Sequence, residues 1–104
     1  MMGIGTSIYE TGLSTPKTGD VFEDRKNATG TAVLCWSTGS GGTLVIEKQL
    51  RSSGAWVQVS SESVTASTAL IIEYAFPLGK ARAKFTPTST STLVEVEIRS
   101  KGGE

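Results

Sequence analysis

A chain of 104 residues in which ten Lys and Arg balance ten Asp and Glu has room for one compact core and lacks the long-range field that draws a protein to nucleic acid or to an anionic membrane. It has no histidine and a single cysteine, Cys35, which excludes Ser-His-Asp and Cys-His arrangements, an intrachain disulfide and a cysteine metal cluster within one chain. No basic segment followed by a stretch of signal-peptide length opens the sequence, and no run approaches a membrane span, so a soluble chain not exported by the usual route is expected.

Residues 1–30 carry scattered apolar side chains, among them Ile4, Ile8, Tyr9 and Leu13, with no sustained 3.6-residue period and with Gly12, Pro16 and Gly19 punctuating the run. This spacing predicts an extended N-terminal arm over 1–30 and a single domain over 31–104. Asp20, Glu23 and Asp24 form an acidic cluster, but Arg25 and Lys26 abut it and no EF-hand spacing is present. No metal site is therefore expected.

The body opens with an apolar strand, Thr31 to Ser37, in which Cys35 reads as a small buried hydrophobe and Trp36 is expected in the core. A Gly/Ser connection leads to a β-hairpin over Gly42 to Val59. Leu44, Ile46 and Leu50 recur two apart with a polar break at Lys48, Val57 and Val59 repeat that spacing, and the chain reverses over Arg51-Ser52-Ser53-Gly54, where Gly54 accepts positive φ. Trp56, two residues on, is expected to cover one end of the core.

Ser60 to Thr68 reads as a loop or a solvent-facing edge strand. Ala69 to Phe76 is the most apolar piece, with Leu70, Ile72, Tyr74 and Phe76 on one face, and is expected to sit centrally. Lys80 to Phe85 alternates cations with alanine and phenylalanine, the alanines letting an opposing sheet approach. Thr92 to Arg99 closes the domain with Val94, Val96 and Ile98 inward and Glu95, Glu97 and Arg99 outward. Lys80, Arg82 and Lys84 are expected to face Glu95 and Glu97 across adjacent strands.

These elements define an all-β protein, an antiparallel β-sandwich, Ig-like or jelly-roll-like, of about six to eight strands. Candidate chemistry is sparse. Glu95 and Glu97 share a strand face, but a pair opposite a buried row is a solvated face before it is a glycosidase dyad. Gly39, Gly41 and Gly42 match no phosphate-binding fingerprint. No catalytic residue or cofactor is expected, and the chain reads as non-enzymatic.

The order of Gly42-Thr43-Leu44-Val45-Ile46-Glu47, a small-residue turn ending in Gly54, Trp56-Val57-Gln58-Val59, a basic alternating strand into Phe85-Thr86-Pro87, and a closing Val94, Val96, Ile98 strand resembles the small β-sandwich virion proteins of tailed bacteriophages. The resemblance covers residues 31–100. Related sandwiches often carry Asp-Gly-Gly before the tryptophan; here Ser52-Ser53-Gly54 stands there, which removes an acidic group.

The resemblance implies a virion structural protein, foremost a capsid decoration or cement protein that forms a homo-oligomer and binds the major capsid protein, without nucleic acid or membrane. The alternative it implies is a tail-fibre or adhesin-type module that binds a receptor glycan. On the first reading the arm is the fastener. Ile4, Ile8, Tyr9 and Leu13, with Trp56 on the body, are the expected partner contacts, since an extended segment can order on a neighbour and add a strand to a sheet edge. Removing residues 1–15 would then abolish particle binding and leave thermal unfolding nearly unchanged.

Overall fold

The computed structural model describes residues 4–102. Over these residues the chain forms nine strands: β1 (Ile4–Leu13), β2 (Lys17–Thr18), β3 (Phe22–Glu23), β4 (Gly30–Thr38), β5 (Gly42–Gln49), β6 (Trp56–Val64), β7 (Leu70–Tyr74), β8 (Lys80–Pro87) and β9 (Ser91–Lys101). The first sheet has the order β1-β9-β4-β7 and the second β2-β8-β5-β6, with β3 also on β8. All pairings are antiparallel.

Lys17 faces Phe85 and Phe22 faces Ala81, so β2 and β3 lie end to end along β8 as two halves of one interrupted strand. With those halves joined, the chain changes sheet at every connection except the β5–β6 hairpin. That path is a jelly roll, not an Ig-like sandwich. Gly19 lies at the interruption, where the chain has no room for a side chain. Its N–H donates to the Ala83 carbonyl at 2.8 Å, and a Cβ there would stand 2.3 Å from the Ser7 carbonyl oxygen and 2.7 Å from Cγ1 of Ile8.

The core fills the space between the layers. Ile8, Val33, Cys35, Val94, Val96 and Ile98 enter from the first sheet and Leu44, Ile46, Ala81, Ala83 and Phe85 from the second, all buried. The period-two pattern read for Leu44 and Ile46, for β8 and for β9 is thus the pattern of burial; Leu50, past the end of β5, and Val57, set out of phase by a register shift between Ile46 and Glu47, are exposed instead. Each large aliphatic or aromatic side chain so enclosed contributes about 1.5–3 kcal/mol. Leu78, from the β7–β8 connection, is fully buried as well.

Residues 4–13 are not a free arm. They pair with β9 from Ile4 opposite Arg99 to Leu13 opposite Ser91, with a register shift between Thr6 and Ile8. That bulge places consecutive residues, Ser7 and Ile8, both inside, so the segment shows neither a helical nor a strand period in sequence. Ser7 makes use of its position: its hydroxyl accepts from the Ala83 N–H at 3.3 Å and donates to the Asp20 carbonyl at 3.1 Å.

Two further expectations change. β7 is an edge strand, not a central one, and Phe76, beyond its end, is 55% exposed. β8 and β9 belong to different sheets, so the cations of β8 do not face Glu95 and Glu97. Arg82 pairs with Glu47 at 2.7 Å, and Glu97 with its own strand neighbour Arg99 at 2.5 Å. The short link between β8 and β9 resembles a hairpin in sequence, whereas jelly-roll topology makes it a crossing between layers.

Asp24 ties the connections together at one end of the sandwich. Its carboxylate accepts from the Thr31 hydroxyl at 2.7 Å, the Gly79 N–H at 3.0 Å and the Ser100 hydroxyl at 2.7 Å. Thr31 in turn accepts from the Leu78 N–H at 2.9 Å. Asp24, a member of the acidic cluster with Asp20 and Glu23, is therefore a structural hub joining the β3–β4 connection to β4, β9 and the β7–β8 connection.

Candidate binding face

β4 lies in the interior of the first sheet, between β9 and β7. Thr31, Val33, Cys35 and Ser37 point into the core and are buried; Ala32, Leu34 and Trp36 alternate with them and belong to the opposite face. A strand apolar on both faces is the mark of a strand covered on both sides. In a two-layer sandwich, however, the chain itself covers only one. Leu34 is half-buried and Trp36 remains 39% exposed.

Register assembles the neighbours of these residues. Tyr9 on β1 and Trp36 on β4 both stand opposite Glu95 on β9, giving a row Tyr9–Glu95–Trp36. The next row runs Thr6–Glu97–Leu34–Ile71. Tyr9 is 61% and Ile71 59% exposed. Adjacent strands are about 4.8 Å apart, so the two aromatic residues of the first row rise from backbones about 10 Å apart with a carboxylate between them. Glu95 makes no ion pair among the described residues, while Glu97 pairs with Arg99 and Glu73 with Lys101 at 3.1 Å. The face thus carries apolar and aromatic side chains on β4 and β7 and Tyr9 on β1, with the charged residues Glu95, Glu97 and Arg99 of β9 running between β1 and β4.

The residues expected to contact a partner do not share one surface. Tyr9 lies on this face. Ile8, its neighbour, is 1% exposed and belongs to the core, because the bulge turns it inward. Leu13 is partly buried against the core. Ile4 opens β1 opposite Arg99, and its side chain lies outside the described residues. Trp56 is on the other sheet, opposite Gln49, where it covers no end of the core. The Arg82 guanidinium lies over its ring, 4.1 Å from the centroid, and is held there by Glu47. This cation–π stack occupies one face of the indole.

Trp36 is the correction in the other direction: expected inside, it is outward. The apolar run Ala32 to Trp36 conceals its phase, since both alternations are apolar. Thr31 and Ser37, in phase with Cys35, reinforce the wrong phase in sequence, yet both are buried because Thr31 donates to Asp24 at 2.7 Å and Ser37 to the Ser40 carbonyl at 3.3 Å.

Two titratable side chains feel burial. Desolvation pushes the Cys35 thiol up to about 12, which keeps it protonated and unreactive at neutral pH. Burial also raises Tyr74, opposed by its hydrogen bond with the Ser60 hydroxyl and reinforced by the negative charge of Glu62. What the first sheet's outer face offers is area, ring faces and a carboxylate without an ion pair among the described residues.

The class these observations define is a jelly-roll sandwich whose first sheet has a partly apolar outer face that nothing among the described residues covers. No protein-family model matches the sequence, and no curated protein matches it. Solved structures match the fold. The PBSX exported protein XepA superimposes with a TM-score of 0.69 at 13% identity over 97% of this chain and 37% of its own. The mitogen of Yersinia pseudotuberculosis does so with 0.57 at 12% identity over 100% of this chain and 91% of its own. The enzymatically active domain of tailspike protein 4 from bacteriophage CBA120 matches with 0.51 at 16% identity, over 91% of this chain and 14% of its own. The chain therefore spans little more than a third of XepA and a small part of the tailspike. At such identities the likeness is one of fold.

Proposed function

We propose that this chain is a non-enzymatic structural module of a bacteriophage-type virion, attached to a protein neighbour through the outer face of its first sheet. A capsid decoration role, with the major capsid protein as the neighbour and the decoration protein as a homo-oligomer, is the specific form of this reading. The observation that carries it is β4, an interior strand with Leu34 and Trp36 on a face that nothing among the described residues covers. Exposed contiguous apolar area on a folded domain marks a surface that is covered in use. The fold's occurrence in a bacteriophage tailspike and in an exported PBSX protein supports the setting.

Attachment by a sheet face replaces attachment by an arm, since residues 4–13 are committed to pairing with β9. The test is a Trp36→Ser/Ile71→Ser double variant. Both side chains are substantially exposed, so thermal unfolding should stay within a few degrees of the parent. Occupancy on particles, read by quantitative gel of purified virions, should fall at least tenfold, as expected when a central aromatic anchor is lost. Full occupancy by the double variant would refute face attachment.

The row Tyr9–Glu95–Trp36 favours one second reading, a receptor-glycan module in which the two rings stack on alternate sugars of an extended chain. Quenching or a blue shift of Trp36 fluorescence on titration with neutral polysaccharide, absent in Trp36→Ser, would select it.

A further inference from the structure

The chain is electrically neutral overall, but its cations are not evenly placed. A cavity of about 650 Å³ opens at the end of the sandwich where the β3–β4, β5–β6 and β7–β8 connections meet, and five of the ten Lys and Arg side chains line it: Arg25, Lys26, Lys48, Arg51 and Lys80. Two acids share the lining, Glu23 and Asp24, and the Asp24 carboxylate is already engaged by Thr31, Gly79 and Ser100. The four ion pairs among the described residues, Lys17–Glu10, Arg82–Glu47, Arg99–Glu97 and Lys101–Glu73, include none of the five. The guanidinium of Arg25 donates to the Gly102 carbonyl, yet its Nε is buried without a partner.

The backbone that carries these cations is held by hydrogen bonds. In the β5–β6 turn, Leu50 N–H donates to Ala55 at 2.8 Å, Gly54 N–H to Leu50 at 3.0 Å, and the Gln49 side-chain amide to Gly54 at 3.0 Å. The other two connections are joined through Asp24. Like charges gathered on a rigid frame repel one another, and an anion seated among them relieves that repulsion while gaining charge-assisted hydrogen bonds.

We propose that this cavity binds an acidic saccharide, with a sugar carboxylate held by Arg51, Lys48 and Lys80 and ring hydroxyls by the surrounding polar groups. The recess falls within the range of small-ligand sites, about 300–1,000 Å³. No aromatic residue lines it, so it offers no platform for a nucleobase. Its cations line a half-open recess, which suits a ring that enters more than a membrane plane. The site shares no residue with the outer face of the first sheet and does not rest on the attachment reading.

The probe is an oligogalacturonate of six sugars, titrated at low salt by calorimetry and by amide chemical shifts, with maltohexaose as the neutral control. Binding should weaken steeply as salt is raised, shift amides of residues 48–51 and 77–80, and be absent for maltohexaose. A Lys26→Gln/Arg51→Gln/Lys80→Gln variant, altered only at exposed positions, should lose affinity at least tenfold with unchanged unfolding, whereas Lys84→Gln, outside the cavity, and Trp36→Ser should keep it. The proposal is overturned by no binding at low salt, by shifts that map elsewhere, by equal loss in Lys84→Gln, or by tighter binding of oligothymidylate or phosphatidylglycerol vesicles through the same cations.

Discussion

Asp24 and Cys35 are single residues whose surroundings dictate testable behaviour. Asp24 is the acceptor of three hydrogen bonds from separate parts of the chain. Asp24→Ala strands their donors and should cost about 2–4 kcal/mol, and Asp24→Asn, which keeps the shape but loses charge and one acceptor, about 1–2 kcal/mol, both read from denaturant midpoints. Cys35 presents the opposite case, a group whose charged form is excluded. Its pKa stands near 12 against an ordinary 9.0, so between those values the unfolded chain has lost a proton that the folded chain retains. Stability is therefore unaffected below about pH 9 and falls as pH rises from there toward 12. In the parent this loss should exceed that in Cys35→Ala, and alkylation of native protein at pH 8 should be far slower than in denaturant.

At the scale of the element, β1 is the strand whose identity the residues conceal. A β-bulge at Ser7 changes the side-chain phase midway, so Ile8 and Tyr9, adjacent in sequence, have opposite fates: one enclosed, the other 61% exposed. Ile8→Ala should destabilise by about 2–4 kcal/mol and Tyr9→Ala by less than about 0.5 kcal/mol. Removal of residues 1–13 should unfold the domain, because β9 would lose one of its two partners and the core its Ile8. A truncated chain melting at the parental temperature would show β1 to be dispensable. β8 and β9 posed no such difficulty, and burial follows their alternation. In the β5–β6 hairpin it holds for Leu44 and Ile46, but the register shift between Ile46 and Glu47 takes Val57 out of phase with Val59, so Val57 is exposed while Val59 packs against the core.

For the whole molecule, the consequence of jelly-roll order is that the first and last strands pair and that most neighbours in a sheet are distant in sequence. Loop closure must precede the contacts that reward it, so refolding is expected in milliseconds to seconds, not microseconds, with a single exponential in stopped-flow tryptophan fluorescence. The same order places three connections at one end, where they bring together cations that lie far apart in the chain. It also sets β4 in the interior of a sheet with its outer face open. Both candidate surfaces are products of topology: neither a run of basic residues nor an aromatic motif announces them.

Period-two burial in β8 and β9 and at Leu44 and Ile46, the hairpin at Gly54, the absence of histidine and of paired cysteines, and with them the all-β class, are local properties, fixed by side-chain alternation and by composition without reference to distant residues. Layer assignment is not local. Whether β8 faces β9 or lies across the core from it, whether Trp36 points in or out of a strand apolar on both sides, and whether the first segment is tethered or free all depend on which strands pair. Pairing is settled by the joint packing of two sheets, and there a single bulge and a glycine with no room for a Cβ outweigh the pattern of the residues around them.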